Sequence, residues 1–488
     1  MKTQEIINLS VILVKILPAF LMLIIGKSIH RYAKWIALTA SFASLGLFIA
    51  YIPILQQGLN TSINFDYLPS MGIQLSLKID WLSFPFLLTE ELVTIFAMIY
   101  AVGYIKSDDR NHIFYALLLL FSAGMSGTTL ANDIFLFYFF WELMLIASAL
   151  LVVYWGESVK RNAVALKYFI ITHLGSLLVL VALIMVYSQS GLDHFSALRD
   201  GIQKVPETIP LIGTLFLLGF SVKMAVVPFH IWLPDTHSEA PMPVTIMLAA
   251  AMLSMGTYGI LRFPMSFLTP SQFAIFSLPM MIMGIVSEFY GAIMALVETD
   301  IKRIIAYSSV SQMGYILFGL GTLTLSGVVG ATLHVIYHAI VKALLFCCVG
   351  WIIKAVGQRN IQSIRGLSKK LPLLATCTIF GALSIAGVPA LAIFNSEWLI
   401  FSSGFQTPFI GLAIFEILGS ILTSAYILRL VGTMFFTPGE ATQIHKVPFS
   451  VKLVTVSLTI LTVIAGIFPR PLFNYVVNEL PLILGGGW

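Results

Sequence analysis

Residues 216–241 read FLLGFSVKMAVVPFHIWLPDTHSEAP. Lys223 stands inside an apolar helical run, and Pro228, Pro234, Pro241 and Pro243 follow it. Proline removes a backbone donor and breaks the helical ladder. A charge at membrane depth costs roughly 2.5–3.5 kcal/mol even on insertion scales. A broken helix survives there only where protein or a water-filled cavity satisfies the freed backbone groups. Read together, these features describe a membrane helix interrupted around a polar interior. The second such place is GVPALAIFNSEWLIF, residues 387–401, where Gly387 and Pro389 precede Asn395 and Glu397.

The rest of the chain supplies the membrane. Of its 488 residues, 58% are hydrophobic and 10% charged, and the mean hydropathy is +0.96. A spanning helix needs about 20 apolar residues. Fourteen candidates follow, near 7–26, 35–55, 82–105, 113–131, 133–155, 164–188, 209–229, 243–262, 272–296, 303–324, 327–353, 373–403, 408–436 and 450–469. The expected fold is therefore an all-α polytopic membrane protein with helices 7 and 12 broken and no soluble domain. The first apolar run lacks a strong basic leader and flows into the second, so it is expected to be retained rather than cleaved.

Lys and Arg divide unevenly between the loops. Sixteen of the 27 follow odd-numbered helices, six lie in the opposite loops and termini, and five lie within spans. By the positive-inside rule the odd-numbered loops face the cytoplasm and both termini face outward, in the cell membrane. The net charge of +5 thus reflects topology and gives no reason to expect nucleic-acid binding. Cys347, Cys348 and Cys377 all fall in apolar helices, without a CxxC pair, so no iron–sulfur cluster or structural zinc is expected in this chain. There is no phosphate loop or dinucleotide fingerprint.

A charge beside a helix break, recurring five helices later, is the pattern of inverted repeats. Two repeats of opposite topology are expected, helices 4–8 (residues 113–265) and 9–13 (266–436). Helices 1–3 (1–112) precede them, and helix 14 with a tail (437–488) follows.

The candidate chemistry lies in the spans. Glu142 sits in LFYFFWELMLIASALLVVYW with no partner one turn away, so its neighbour must come from another helix. A buried carboxylate that ionises only beside a cation has the dependence a proton switch needs. Lys223 could release a proton when Glu142 moves away. His334, His338 and Lys342 recur every four residues in TLHVIYHAIVKALLF and share a helical face. They are read as a proton wire, with polar glue between helices as the alternative. Lys167 and His230 are further candidate links, and Glu397 a terminal proton site. His230, Asp235, His237 and Glu239 make a poor zinc site because Pro234 interrupts the spacing; a solvated loop near a channel mouth is expected there. Glu288 and Glu416 are unexpected acids. Glu90 and Glu91 are expected to lie partly at the interface.

VKMAVVPFHIWLPDTHSEAP, FFWELML, ETDIKRIIAYSSVSQMGYILFGL and HAIVKALLF resemble the antiporter-like subunits of respiratory complex I. Membrane-bound hydrogenases and multisubunit cation/proton antiporters carry related subunits. The similarity runs from about residue 80 to 435. It implies fourteen helices, the inverted repeats, and a proton path through Glu142, Lys223, the row His334, His338, Lys342, and Glu397. It also implies sibling membrane subunits and a peripheral redox module that holds the iron–sulfur and other redox centres, with none in this chain. Glutamate at position 397, the seventh-helix motif and the length look most like the chain 4 type. Two departures stand out. Ser254 occupies the position where the eighth helix of the family carries lysine or histidine, and Glu288 replaces a small or apolar residue, where it could re-route the path or bind a cation.

The row HVIYHAIVKALLF looks more like the chain 5 or hydrogenase type, which favours a hydrogenase-like complex over ordinary quinone-reducing complex I. The leading expectation is a proton- or sodium-translocating subunit of a redox-driven complex, complex I-like or membrane-bound hydrogenase-like. The alternatives are a subunit of a multisubunit Na+/H+ antiporter without a redox partner, and a non-transporting scaffold.

Overall fold

The computed structural model describes residues 3–56, 62–68, 73–106, 108–190, 194–195, 201–203, 206–439 and 445–483. Thirteen helical stretches among them are long and apolar enough to cross a membrane. The expected twelfth span is also present, as two short helices, Pro372–Ile385 and Ala392–Gly404, each too short to cross alone. Counted in order with that pair, the spans are numbered first to fourteenth. The eighth (Met242–Phe267) and tenth (Ile301–Gly321) are enclosed along almost their whole length. The outer spans turn apolar side chains outward, Ile24 in the first and Phe449 in the fourteenth among them. A lipid-facing surface has this composition, because hydrocarbon solvates such side chains as well as a core does.

The fold also contains what the apolar runs did not announce. Strands Ile63–Leu68 and Ile73–Leu77 pair antiparallel between the second and third spans. A final helix, Arg470–Ile483, folds back so that the Tyr475 hydroxyl donates to the Trp81 carbonyl at 2.9 Å.

Both expected breaks are real. The seventh span's first helix, Ile209–Met224, ends one residue after Lys223, at Ala225 with φ +56°. The chain then passes through the 3-10 turn Phe229–Trp232 into the helix Leu233–Glu239. The freed groups find partners. The Trp232 indole donates to the Val222 carbonyl at 3.0 Å, and the Val227 amide donates to Ser287 Oγ of the ninth span at 2.9 Å. In the twelfth span the break carries Gly387 (φ +69°) and Ala390 (φ +70°). A third irregularity is a π-helical turn, Leu248–Met252, in the eighth span, a feature found often near functional sites.

Two junctions match in detail. Asp133 caps the fifth span by accepting from the Leu136 amide, and its backbone bridges to His194 beyond the sixth. Asp300 caps the tenth through the Lys302 and Arg303 amides and bridges to Asn360 beyond the eleventh.

One expectation about the connections is overturned. Residues 228–241 are not a solvated loop. Trp232, Leu233, Thr236 and His237 are fully buried, because the short helix Leu233–Glu239 tucks between spans instead of lying over them.

Candidate functional site

The polar side chains inside the helices form two clusters joined through the middle. In the first half, Glu142 of the fifth span has its partner on the sixth: Glu142 Oε2 lies 3.1 Å from His173 Nδ1. The His173 ring stacks on Phe169, with centroids 5.5 Å apart. The pair reaches the lateral surface, the Glu142 side chain being 15% exposed and that of His173 37%. Lys223 is buried on the neighbouring face. Its Nζ has no hydrogen-bond partner and lies 5.1 Å from the centre of the Trp141 ring, a cation–π contact that stabilises an ammonium weakly. Trp141 is itself fixed by donating to Ser176 at 2.9 Å. Glu142 and Lys223 are thus neighbours through Trp141, without the direct ion pair that the sequence suggested. The second Glu142 oxygen is buried and unpartnered.

Lys167 stands apart from this cluster. It donates to Asp235 at 2.8 Å, and Asp235 also takes Arg303 at 2.7 Å. Arg303 continues to Glu298 at 2.9 Å, and the Glu298 carbonyl accepts from Arg429. A parallel set joins the halves nearby. Lys302, fully buried, donates to Glu157 at 3.1 Å and to the Ala240 carbonyl at 2.6 Å, while Arg359 reaches Asp300 at 3.3 Å.

The centre is occupied by His237. It is fully buried, neither ring nitrogen has a partner, and its ring lies 5.9 Å from that of Phe346 on the eleventh span. Lys342 and His338 both lie within its electrostatic reach. Lys342 donates to Ser308 and, at 3.1 Å, to the Ile305 carbonyl. The His338 and His334 rings follow, 6.4 Å apart. His334 touches Ser396 at 3.1 Å on one nitrogen and Gln312 Oε1 at 3.1 Å on the other, and stacks on Tyr315 at 5.7 Å. The row therefore forms as the four-residue spacing required. His230 lies to one side, its ring 4.5 Å from Tyr290.

The second half ends in acids. Glu397 presses against the twelfth-span break: a methyl group on Gly387 would lie 2.2 Å from Glu397 Oε2. Glu288 of the ninth span faces Glu416 of the thirteenth, with Glu397 and Tyr315 close by. All three carboxyl side chains are buried. A methyl group on Gly419 would meet Glu288 Oε1 at 2.1 Å, so glycine is what admits that carboxyl. Ser254 is buried and turns its hydroxyl back to donate to the Ala251 carbonyl of the π-turn.

Two histidines of these clusters, His173 and His237, are not among the candidate links read from the sequence. His173 is a single histidine in a long apolar helix, and nothing in its spacing points to Glu142. His237 falls in the stretch read as a solvated loop, where Pro234 interrupts the spacing of a zinc site. Among the described residues no three His, Cys, Asp or Glu side chains converge to hold a metal ion.

Spans, breaks and a buried titratable row together define a polytopic membrane subunit built around a polar axis. The chain belongs to the family described as NADH:quinone oxidoreductase/Mrp antiporter, transmembrane, which matches residues 131–423. Residues 66–115 match a second description, NADH-ubiquinone oxidoreductase (complex I), chain 5 N-terminus. NAD(P)H-quinone oxidoreductase chain 4 1 of Synechococcus sp. (strain JA-3-3Ab) is 31% identical over 479 residues, covering 94% of this chain and 89% of that protein. A chain of the membrane-bound sulfane sulfur reductase, an archaeal respiratory membrane complex, superposes with a TM-score of 0.87 at 28% identity, over 96% of this chain and 77% of the other. A chain of the Mrp complex from Dietzia sp. DQ12-45-1b shares the fold, with a TM-score of 0.88 at 22% identity, over 100% and 98%.

Proposed function

We propose that the chain translocates protons, or sodium ions, as an antiporter-like subunit of a redox-driven complex. The observation that carries this reading is the set of titratable side chains inside the helices, from Glu142–His173 at the lateral face and the buried Lys223 to the buried His237, Lys342, His338, His334 and the Glu397 acids. Buried ionisable groups are costly; Lys223 answers to Glu142 in the first half, and His237 to Lys342 and His338 in the central row. In this mechanism a charge change at a neighbouring subunit reaches Glu142 from the lateral face. The field at Lys223 then shifts across Trp141, and a proton redistributes along the histidine row. His334 is held between Ser396 and Gln312, so its ring is oriented for transfer. The acids at the twelfth-span break would take up or release the proton.

The matched Asp133 and Asp300 junctions support inverted repeats over 113–265 and 266–436. The basic-residue asymmetry supports odd-numbered loops at the cytoplasm and both termini outside. Redox centres would lie in a partner module, with sibling membrane subunits alongside. The chain 4 relative favours this reading over a gradient-driven exchanger.

Glu142→Gln and Lys223→Met are expected to cut donor-driven ion pumping by the purified complex while leaving its subunit composition unchanged. Full pumping in both variants would end the proposal. Ion exchange by the complex on a gradient alone, with no electron donor, would favour the exchanger.

A further inference from the structure

Outside both repeats lies a second set of buried charges. Lys15 of the first span and Glu90 and Glu91 of the third are all fully buried, which overturns the expectation that the two acids sit at the interface. The helix turns both carboxyls inward because Lys15, some seventy-five residues away in sequence, waits there. Lys15 Nζ is 2.8 Å from Glu91 Oε1 and 3.3 Å from Glu90 Oε2.

The donors are shared unequally. Glu90 Oε1 accepts from Ser122 at 2.6 Å and Thr94 at 2.9 Å, and Glu90 Oε2 accepts from Ser126 at 2.6 Å. Glu91 Oε1 accepts from Ser44 at 2.7 Å. Glu91 Oε2 is buried and has no partner. The groups facing Glu91 are Lys15 from the first span, Ser44 from the second, Ser126 from the fourth and Glu90 from its own helix. One cation thus faces two carboxylates.

With every group ionised, the cluster carries one uncompensated negative charge in an apolar enclosure. Such a charge costs several kcal/mol, and a site with two adjacent carboxylates sheds it by keeping a proton. Glu90 is the better solvated by hydroxyls, so the proton belongs on Glu91. We propose that Lys15, Glu90 and Glu91 form a binding site for one exchangeable proton, carried by the Glu91 carboxyl. Taking up the proton from water converts a carboxylate oxygen to a hydroxyl and brings the cluster from −1 to neutral. The three charged groups belong to the first and third spans, with hydroxyls from the second and fourth around them.

Infrared spectroscopy of the purified complex, with isotope-labelled glutamate in this chain, tests it, because a protonated carboxyl absorbs apart from a carboxylate. The wild type should show a protonated-carboxyl band that shifts in deuterated water and is absent in both Glu91→Gln and Glu90→Gln. In Glu90→Gln, Lys15 balances Glu91 alone and the proton is no longer needed. Lys15→Met should gain intensity, since two acids then lack a cation. If Lys15→Met does not assemble, the two glutamine variants decide. Glu288, Glu397 and Glu416 also contribute bands, so only differences from wild type count. No band lost in Glu91→Gln overturns the proposal, as does a band that never exchanges. Loss in Glu91→Gln with none in Glu90→Gln also overturns it, because the proton would then not answer to the one-cation balance.

Discussion

Gly387 offers a substitution whose effect can be divided into parts. The residue has φ +69°, and a Cβ there would meet Glu397 Oε2 at 2.2 Å. Alanine in the left-handed region costs about 1–2 kcal/mol, a factor of roughly 5–30 in a folding equilibrium. The contact adds a second demand. Its nearest atom is the far end of a side chain, so the carboxylate moves and the backbone stays. Gly357 is the matched control, with φ +72° and nothing within 4 Å of its Cβ. Gly387→Ala and Gly357→Ala should therefore lower the melting temperature of the complex by similar amounts. Only Gly387→Ala displaces Glu397, and only it should reduce donor-driven proton pumping in proteoliposomes, by severalfold or more. Equal pumping by the two variants would refute the role of Glu397. Equal loss in both would show that strain alone is responsible.

His173→Phe keeps the stack on Phe169 but leaves Glu142 Oε2 without its partner, so pumping should fall toward the level of Glu142→Gln; unaltered pumping would remove His173 from the path. Trp232→Phe removes one of two donors to the Val222 carbonyl beside the seventh-span break, the Ala225 amide remaining at 3.2 Å, at a cost of about 0.5–1.5 kcal/mol, and calorimetry should register the lower melting temperature. Asp80 lies before the third span and takes two bonds from Arg262, both 2.6 Å. Burial alone would raise its carboxyl, but the Arg262 guanidinium overcomes this and holds it well below the usual carboxylate range. A depressed acid stabilises the fold above its unfolded value, and that contribution is lost as pH falls below about 4. Asp80→Asn should accordingly melt earlier at neutral pH, with the difference steady between pH 5 and 8; a difference that grows across that window would contradict the assignment.

Much of this was legible in the chain, and the reasons differ by residue. The spans could be read because hydrocarbon demands unbroken apolar length, and the breaks because Pro228, Gly387 and Pro389 act locally. The row His334, His338, Lys342 followed from helical periodicity alone. What failed were inferences about partners. Glu90 and Glu91 looked interfacial because adjacent acids usually are, and their cation belongs to a distant span. Lys223 seemed made for Glu142, yet its ammonium lies over the Trp141 ring and His173 takes the carboxylate. His237 was lost because Pro234, which can end a helix, here begins one: it sits in the first turn of Leu233–Glu239. The strands 63–68 and 73–77 carry apolar residues in runs too short to read as spans, and their pairing is a matter of register.

The ion pairs that join the two halves have a mechanical consequence. Lys302 is buried against Glu157 and the Ala240 carbonyl, and Asp235 holds Arg303 from across the same seam. Many secondary transporters alternate access by rocking one half against the other. Here each rocking stroke would strip a buried ammonium of its partners, at a cost of order 3–5 kcal/mol. The contacts resist motion at that seam. A charge path of the kind proposed would cross it by side-chain rotation and rearranged water inside a stationary scaffold, more like a relay line than a revolving door.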